Sequence, residues 1–503
     1  MPPTIAPFSS PWWIERLSRE LDARAAPMRR LDDYYRGRHP LLYAGSKFRA
    51  AFGNLFSGFA DNFCSLVADA VDERLDVEGF RMGADKDLDA DKDAWKIWQT
   101  NGLDDWGQRA HLEALVKGLS YALVWADEDN DESPEVTIED ALQVTVALDP
   151  ASHDRLAGFK RWTGEDGNVL GTLYLPDRIE KYQMDTDSGS PITPLFVAGR
   201  YGWIKRTVPG EEWPIKNPLG EVPIVPFINR PNLRGEGESE IAQMIPDQNA
   251  INKLVLDLLV ASEFTGFRQR WVTGLDVPND PDTGQPIEPF QAAVDRLFVA
   301  ESPDVKFGEF SVGDLANYTG AIEMLVQHIA STTRTPAHYL NGQSGSFPSG
   351  ESLKATETGL VAKSKRKQRI FGESWEEVIR LSFKILGDAR GDIQDSETIW
   401  RDPESRTEAE HTDAVVKMGS APISIPQEML WEELGFTPQQ ISRAKALIEA
   451  MPETMIQAPD AVWVPAGSAP AAPATTPAAA DTNRMMMASG AGHNGLPTKT
   501  MPG

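Results

Sequence analysis

The fold is organised by a stretch near the middle of the chain, which begins Asp247-Gln-Asn-Ala-Ile-Asn-Lys-Leu-Val-Leu-Asp-Leu-Leu-Val-Ala-Ser-Glu-Phe264. Five apolar residues in it recur at steps of three and one: Ile251, Leu254, Val255, Leu258 and Leu259. That spacing predicts an amphipathic helix with these residues on one face and with Asn249 and Asp257 turned away. Leu256 falls outside the face, which is compatible with a second buried side.

A second amphipathic helix is separated from the first by an insert rich in Pro and Asp, residues 272–313. It is predicted over residues 315–331, where four apolar residues share a face: Ile322, Leu325, Val326 and Ile329. Two apolar-faced helices around a polar insert bury too little surface within one chain. We therefore expect four residues to pack against neighbouring copies: Leu254, Leu258, Leu325 and Ile329.

A loop rich in glycine and serine follows: Asn341, Gly342, Gln343, Ser344, Gly345, Ser346, Phe347, Pro348, Ser349 and Gly350. This composition does not sustain a helix. Behind it, residues 351–386 contain no proline and predict one helix of roughly 50 Å, with Gly387 as its C-cap. Gly359 and Gly372 lie inside the run, and each weakens the prediction that the helix is unbroken.

The order of these features resembles portal proteins of tailed bacteriophages, of the siphophage head-tail connector type. Two segments flank the loop as in that family: Thr335-Pro-Ala-His-Tyr-Leu340 and Ser349-Gly-Glu-Ser-Leu353. Further segments extend the resemblance to about residues 10–450: Leu31-Asp-Asp-Tyr-Tyr-Arg-Gly37, Asn62, Asp76-Val-Glu-Gly-Phe80, Trp400-Arg-Asp-Pro403 and Leu434-Gly-Phe436.

The resemblance implies an α+β fold, that of a portal-like ring subunit with a helical stem, a small α/β clip, a mixed-sheet wing and a helical crown. It divides the chain into N-terminal helices and wing 1–237, first stem helix 238–271, clip 272–313, second stem helix 314–340, tunnel loop 341–350, long helix 351–387, crown 388–464 and disordered tail 465–503.

The same resemblance implies a function. The chain would form a homo-oligomeric ring, a dodecamer, at one capsid vertex of the virion, and conduct double-stranded DNA during packaging and ejection. The ring would dock the terminase large subunit and then the head-tail adaptor. It would contact the major capsid protein, with a scaffold protein as a further candidate, after assembly in the host cytoplasm. The resemblance implies no cofactor, metal, membrane or catalytic activity.

In such a ring the loop 341–350 would line the narrowest part of the channel, with Lys354 and the first turn of the long helix just behind it. Phe347 is its only large apolar side chain, and Pro348 restricts the backbone on the long-helix side. The alternative interpretation is a surface linker that tolerates almost any change.

Basic residues gather on the first half of the long helix: Lys354, Lys363, Lys365, Arg366, Lys367 and Arg369. Those within residues 363–369 point all round a helix, so they form no single basic face. Two interpretations stay open for them. Either the helix is solvated and bridges packed parts of the chain, or some of these side chains face DNA or the acids of a neighbouring subunit.

The net charge of −26 argues against a protein that grips nucleic acid, because such a protein needs a basic face to neutralise phosphates. It is explained by solubility, and it also suits a conduit whose acidic wall binds no phosphates.

The single cysteine, Cys64, lies in an apolar helical run and is predicted to be a buried hydrophobe, which fits a reducing compartment. No apolar stretch reaches the length of a bilayer span.

The N-terminal half predicts helices followed by strands. Residues 12–77 are mostly helical, and short helices follow at 94–101 and 106–119. Seven runs carry the strand pattern: 121–125, 136–138, 144–148, 159–162, 169–175, 178–182 and 224–228. Glu165-Asp-Gly-Asn168 joins two of them and is typical of a hairpin turn, because Asp-Gly tolerates positive φ. We expect a mixed or antiparallel sheet packed on the N-terminal helices.

The C-terminal part predicts a short strand at 392–402 and helices at 406–418, 426–435 and 438–450. From residue 465 the composition changes to Ala, Pro, Gly and Thr, which predicts disorder.

Motifs of catalysis or metal binding are absent from the sequence. Its seven histidines show no HExxH or Cys/His spacing, and it has no Gly-x-x-x-x-Gly-Lys-Ser/Thr loop and no Gly-x-Ser-x-Gly elbow. Two alternatives remain open. Another virion structural or connector protein would need no helix pair around an insert, and a soluble multi-domain hydrolase would be a monomer or dimer with a deep pocket.

Overall fold

The computed structural model describes residues 6–39, 61–83, 90–127, 133–184, 202–266, 270–274, 281, 284–285, 304–309, 315–340, 350–404, 408–419 and 425–450. Residues 1–445 form one compact unit, and in the second unit only the end of the last helix is described. The loop 341–349, most of the insert 272–313 and the tail 465–503 lie outside the described residues, so the predictions made for them stay predictions.

The described helices, in chain order, are α1 Ser10–Tyr35, α2 Phe63–Asp72, α3 Lys92–Thr100, α4 Leu103–Lys117, α5 Ile245–Gly266, α6 Ala316–Thr333, α7 Ala337–Leu340, α8 Gly350–Ile385, α9 Glu408–Gly419, α10 Gln427–Glu433 and α11 Pro438–Glu449. The described strands are β1 Val77–Met82, β2 Leu119–Trp125, β3 Glu135–Glu139, β4 Val144–Leu148, β5 Arg155–Thr163, β6 Val169–Tyr174, β7 Arg178–Met184, β8 Trp203–Lys205, β9 Ile215–Lys216, β10 Ile224–Ile228, β11 Arg270–Thr273, β12 Lys306–Glu309 and β13 Ser396–Trp400.

The strands form separate antiparallel sheets. The largest has the order β4-β5-β6-β7-β8 with β9 also paired to β7, and a smaller one has the order β10-β2-β3. All seven predicted strands are present and their pairing is antiparallel, but they belong to two sheets, which corrects the expectation of one. The predicted hairpin joins β5 to β6. Its turn is closed by Asp166, whose carboxylate accepts from Asn168 N, and Gly167 has a φ of +79°.

Strand β1, Val77–Met82, is not among the predicted strands. It pairs with β13 from the far end of the chain, with Phe80 opposite Thr398. Strands β11 and β12 form a further antiparallel pair at the two ends of the insert.

Helix α1 packs on the larger sheet, as expected for the N-terminal helices. Four of its residues share a buried cluster with sheet residues such as Phe159 and Leu173: Trp13, Ile14, Leu17 and Leu21. Their spacing places them on one helical face, so the periodicity in the sequence matches the surface that the sheet covers.

Helix α8 is a single helix of 36 residues, so neither Gly359 nor Gly372 interrupts it. Its second half passes through the main hydrophobic core, where Phe371, Trp375 and Phe383 are almost fully buried. The ring of His111, from α4, stacks on Phe371 at 5.3 Å, and its Nε2 accepts a 2.7 Å hydrogen bond from Trp375. The long helix is therefore fixed to the body of the chain at its C-terminal half.

Candidate functional site

Helices α5 and α6, on either side of the insert, pack against each other and join a core that also includes α1 and α2. Ile251, Val326 and Ile329 are buried in this core. Cys64 lies in the same core, as predicted, and its burial raises the pKa of the thiol to about 12. Part of the apolar surface of the helix pair is thus covered by the chain itself.

The residues predicted to contact neighbouring copies fall into two groups. Ile329 is fully buried and Leu325 packs against the same core, so both serve the fold of the single chain. Leu254 and Leu258 are partly exposed, and neither belongs to the described core clusters. Leu256 is buried, so α5 also buries residues outside its predicted face.

The start of α5 is tied to the body by buried amide side chains that the sequence pattern did not reveal. Asn249 was expected to turn away from the apolar face, but it is not exposed: it is buried and accepts a 2.8 Å hydrogen bond from Tyr34 OH. Gln248 accepts from Phe63 N at 2.8 Å and donates to Asp61 O at 2.7 Å. Buried amides need such partners, so α5 begins in one defined position relative to α1 and α2.

The chain on either side of the segment 341–349 is linked by side-chain contacts between Tyr339, Glu357 and Arg74. On the near side, Leu340 is buried and Tyr339 OH donates to Glu357 Oε1 at 3.2 Å, across to the far side. Arg74, just beyond α2, donates to Tyr339 OH at 2.8 Å and lies 3.8 Å from Glu357. His338 packs edge-on against Tyr339 with ring centroids 4.7 Å apart. Tyr339 and Glu357 are therefore joined to each other and, through Arg74, to the body of the chain.

Two lysines of the basic run are buried in a joint between α8 and the end of α6. Lys367 lies 2.5 Å from Glu240 Oε1 and also donates to Asn229, at the end of β10. Lys363 lies 3.4 Å from Glu240 Oε2 and donates to Thr333 O at 2.8 Å. Their side chains are 2% and 11% exposed, so they face the interior rather than DNA, solvent or a neighbouring subunit. For these two residues both earlier interpretations are wrong.

The charges in this joint act on one another. Burial opposes ionisation of Glu240, but the two lysines outweigh it and lower the pKa of the carboxyl to about 2. Burial lowers the pKa of Lys367 to about 8 against the attraction of Glu240, and it lowers that of Lys363 as well. One carboxylate serves two cations, so the joint depends on Glu240. No sequence motif marks Glu240, because its partners lie far along the chain.

The other basic residues lie nearer the surface. Lys365 is half-exposed and 3.6 Å from Asp402, Arg366 and Arg369 are exposed, and Lys354 is partly buried. For these four residues the interpretation as DNA-facing or intersubunit groups stays a prediction.

A cleft of about 300 Å³ lies between α3, α4 and β1, and it is the place to look for enzymatic chemistry. Its acids are already paired within the chain: Asp76 with Arg401 at 3.0 Å and Asp104 with Trp98 Nε1 at 2.7 Å. Its histidine, His111, is held neutral by burial, which lowers its pKa to about 3.

Among the described residues, no group of His, Cys, Asp and Glu is placed to hold a metal ion. None of the described helices combines the length and apolarity needed to cross a bilayer.

The described chain is α+β, with a helix pair on either side of the insert and a long helix behind the segment 341–349. A family model described as phage portal protein, SPP1 Gp6-like, matches residues 14–451. The portal protein of Mycobacterium phage D29 is 30% identical over 390 residues, covering 74% of this chain and 75% of the relative. That of Mycobacterium phage L5 is 29% identical over 392 residues, covering 75% and 76%.

The chain therefore belongs to the phage portal protein family. It is a structural subunit of the virion, and its roles as a connector and in DNA packaging follow from the family. The family also implies a ring oligomer in the capsid that works with the packaging machinery.

Proposed function

We propose that twelve copies of this chain form the ring, with α5 and α6 as the stem around the channel. The observation that carries the proposal is the helix pair itself. One side of the pair packs against the chain's own core, while Leu254 and Leu258 stay partly exposed. Partly exposed leucines on a packed helix are the kind of surface that a symmetry-related copy covers.

The negative charge of the helix pair supports a channel through which DNA moves without being tightly bound. Over Ile245–Gly266 and Ala316–Thr333 the sequence has four carboxylates and one lysine. Such a surface forms no strong contacts with phosphates, because the affinity of proteins for the DNA backbone comes from cations that replace its counterions. A duplex can then move through without being held at one position.

The segment 341–350 serves in this proposal as the tunnel loop. It follows α7 and precedes α8, and the side chains of Tyr339 before it and Glu357 behind it are hydrogen-bonded to each other. Its three glycines and three serines give the backbone the freedom to follow passing DNA.

The remaining partners complete the proposal. The ring docks the terminase large subunit during packaging and the head-tail adaptor afterwards, and residues 272–313, where β11 and β12 pair, form its clip. The outer surface contacts the major capsid protein and, as a further candidate, a scaffold protein. Assembly takes place in the host cytoplasm before the ring is built into a capsid vertex.

The ring is tested with the double variant Leu254→Asp, Leu258→Asp, measured by native mass spectrometry. We expect folded monomers, because two carboxylates on this face oppose burial by a neighbour. The matched control is Ile204→Asp, which changes a partly exposed apolar residue on strand β8 and should leave rings intact. Rings of wild-type size from the double variant would contradict the stem assignment.

The tunnel loop is tested by removing residues 343–346 and measuring the DNA packaged per particle. We expect less packaged or retained DNA in particles whose rings have formed normally. Normal packaging together with normal retention would show that the segment is a surface linker.

A further inference from the structure

We propose that Arg74 is a positioning residue for the segment 341–350, and that with Tyr339 and Glu357 it forms a clamp that ties the residues just before the segment to the second turn of α8 behind it. The inference rests on the proposed function of that segment as the tunnel loop. The clamp itself is a feature of the folded chain and is measurable without DNA.

The geometry of the clamp joins three separate parts of the chain. Tyr339 lies just before the segment, Glu357 lies in the second turn of α8 behind it, and Arg74 follows α2. The guanidinium of Arg74 donates to Tyr339 OH at 2.8 Å, and that hydroxyl donates to Glu357 Oε1 at 3.2 Å. The guanidinium also lies 3.8 Å from Glu357 Oε2 and 5.8 Å from the centre of the Tyr339 ring.

Arg74 is itself fixed. Its Nη1 donates to Ala70 O at 3.0 Å, within α2, and its own carbonyl accepts from Gln368 on α8 at 3.1 Å. Its position is therefore set by two helices that do not belong to the segment. Through Arg74, Tyr339 is therefore held in a fixed position relative to α2 and α8.

Burial makes this arrangement specific. The side chains of Arg74 and Glu357 are only 10% and 13% exposed. Charged hydrogen-bonding groups with so little access to water are costly to separate, because each would lose its partner without gaining full solvation. The planar guanidinium of an arginine also fixes the directions of the hydrogen bonds it donates, which the ammonium group of a lysine does not.

Such a clamp has a consequence for a ring. A glycine-rich loop with free ends could start from a different place in each subunit, and the opening of the channel would vary between copies. With Tyr339 and Glu357 held, the residues that flank the segment take the same position in every subunit. The loops then approach the axis from equivalent positions in every subunit.

The first test uses Tyr339→Phe, which removes only the bridging hydroxyl and keeps the aromatic side chain. In assembled rings, we expect the backbone amides of residues 337–340 and 354–358 to exchange with deuterium about fivefold faster, as follows from the loss of one hydrogen bond. The matched control is Tyr35→Phe, which removes a tyrosine hydroxyl bonded to Asp69 at 2.9 Å and should leave these amides unchanged.

A second variant, Arg74→Lys, keeps the charge and removes the planar guanidinium, and it should accelerate the same amides. Unchanged exchange in both variants would overturn the clamp. Accelerated exchange together with reduced DNA per particle, in particles with intact rings, would support the positioning role.

Accelerated exchange with normal DNA content would overturn the positioning role, and the variant lacking residues 343–346 then shows where the error lies. If that shortened variant packages less DNA, the tunnel-loop function stands and only the role of Arg74 falls. If it also packages normally, the proposed function of the segment has failed.

Discussion

Individual charges decide how the parts of this subunit are joined. Glu240 holds Lys363 and Lys367 in a joint that also reaches Thr333 and Asn229. The net contribution of a buried ion pair to stability is small, since burial cancels much of the attraction, but an unpaired buried charge is very costly. Residues of this kind are consequently more sensitive to the loss of a partner than their exposed counterparts.

We predict that Glu240→Gln destabilises the chain by about 3–5 kcal/mol, because it leaves two buried lysines without a counter-charge. The matched control is Asp402→Asn, which removes the partner of the half-exposed Lys365 and should cost less than about 1 kcal/mol. Urea unfolding of both variants at one protein concentration measures the difference. Equal losses would show that the joint is hydrated rather than buried.

His111 gives a second prediction at this scale, for the dependence of stability on pH. Its pKa in the folded chain is about 3, below the ordinary 6.5, because it is buried against Phe371 and Trp375. Between pH 6.5 and 3 the histidine is therefore protonated in the unfolded chain and neutral in the folded chain. The free energy of unfolding consequently falls as the pH drops through this range. This one group costs up to about 1.4 kcal/mol per pH unit in that window.

The variant His111→Gln removes this titration, so its stability relative to the wild type should improve as the pH is lowered from about 7.5 to about 5. Thermal unfolding at several pH values measures the trend. His153→Asn, at an exposed histidine with positive φ, serves as the control for the loss of a histidine. A constant difference between wild type and His111→Gln would mean that His111 is hydrated in the folded chain.

At the scale of elements, α8 shows how tertiary packing overrides local preference. Glycine inside a helix is unfavourable, yet α8 continues through both Gly359 and Gly372. The two positions differ in their surroundings. A Cβ at Gly359 would meet only Arg334 at 3.6 Å, an ordinary contact, whereas one at Gly372 would lie 3.3 Å from Trp400 Nε1. A side chain at Gly372 would therefore require Trp400 to shift by a few tenths of an ångström, whereas one at Gly359 would require no shift.

We predict that Gly359→Ala stabilises the chain by about 0.5–1 kcal/mol, since alanine loses less backbone entropy and meets no clash. Gly372→Ala should give no gain, because Trp400 packs against the core and His111 and has little room to move. Thermal unfolding of the two variants provides the comparison. A gain of similar size at Gly372 would show that the Trp400 side chain adapts.

At the scale of the whole molecule, charge governs assembly. Each chain carries a net charge of −26, so copies brought together in a ring repel one another. Contacts such as those proposed for Leu254 and Leu258 must outweigh this repulsion. Salt weakens repulsion between exposed charges, and it acts much less on apolar contacts.

We therefore predict that the fraction of chains in rings rises as salt is increased from about 0.01 M to about 0.15 M, over which the Debye length falls from about 30 Å to about 8 Å. Native mass spectrometry of cross-linked samples, or analytical ultracentrifugation, measures the fraction. A ring fraction that falls with added salt would show that ion pairs between subunits dominate the interface.

The sequence by itself determined most of the longer elements and the family. Helices α5, α6 and α8 and strands β2 to β7 follow from local periodicity, because a helix or strand with one covered side repeats its apolar residues at a fixed step. The same local signals predicted the burial of Cys64 and the turn at Asp166-Gly167, both confirmed by the structure.

The tertiary structure alone decided which residues meet. Periodicity shows that a face is covered but not by what, so it did not reveal the pairing of β1 with β13 or the hydrogen bond between Asn249 and Tyr34. Charge patterns likewise suggested that Lys363 and Lys367 point outward, since a basic residue is exposed unless a distant partner neutralises it. That partner, Glu240, comes from a remote part of the chain, and only the folded arrangement brings it within reach.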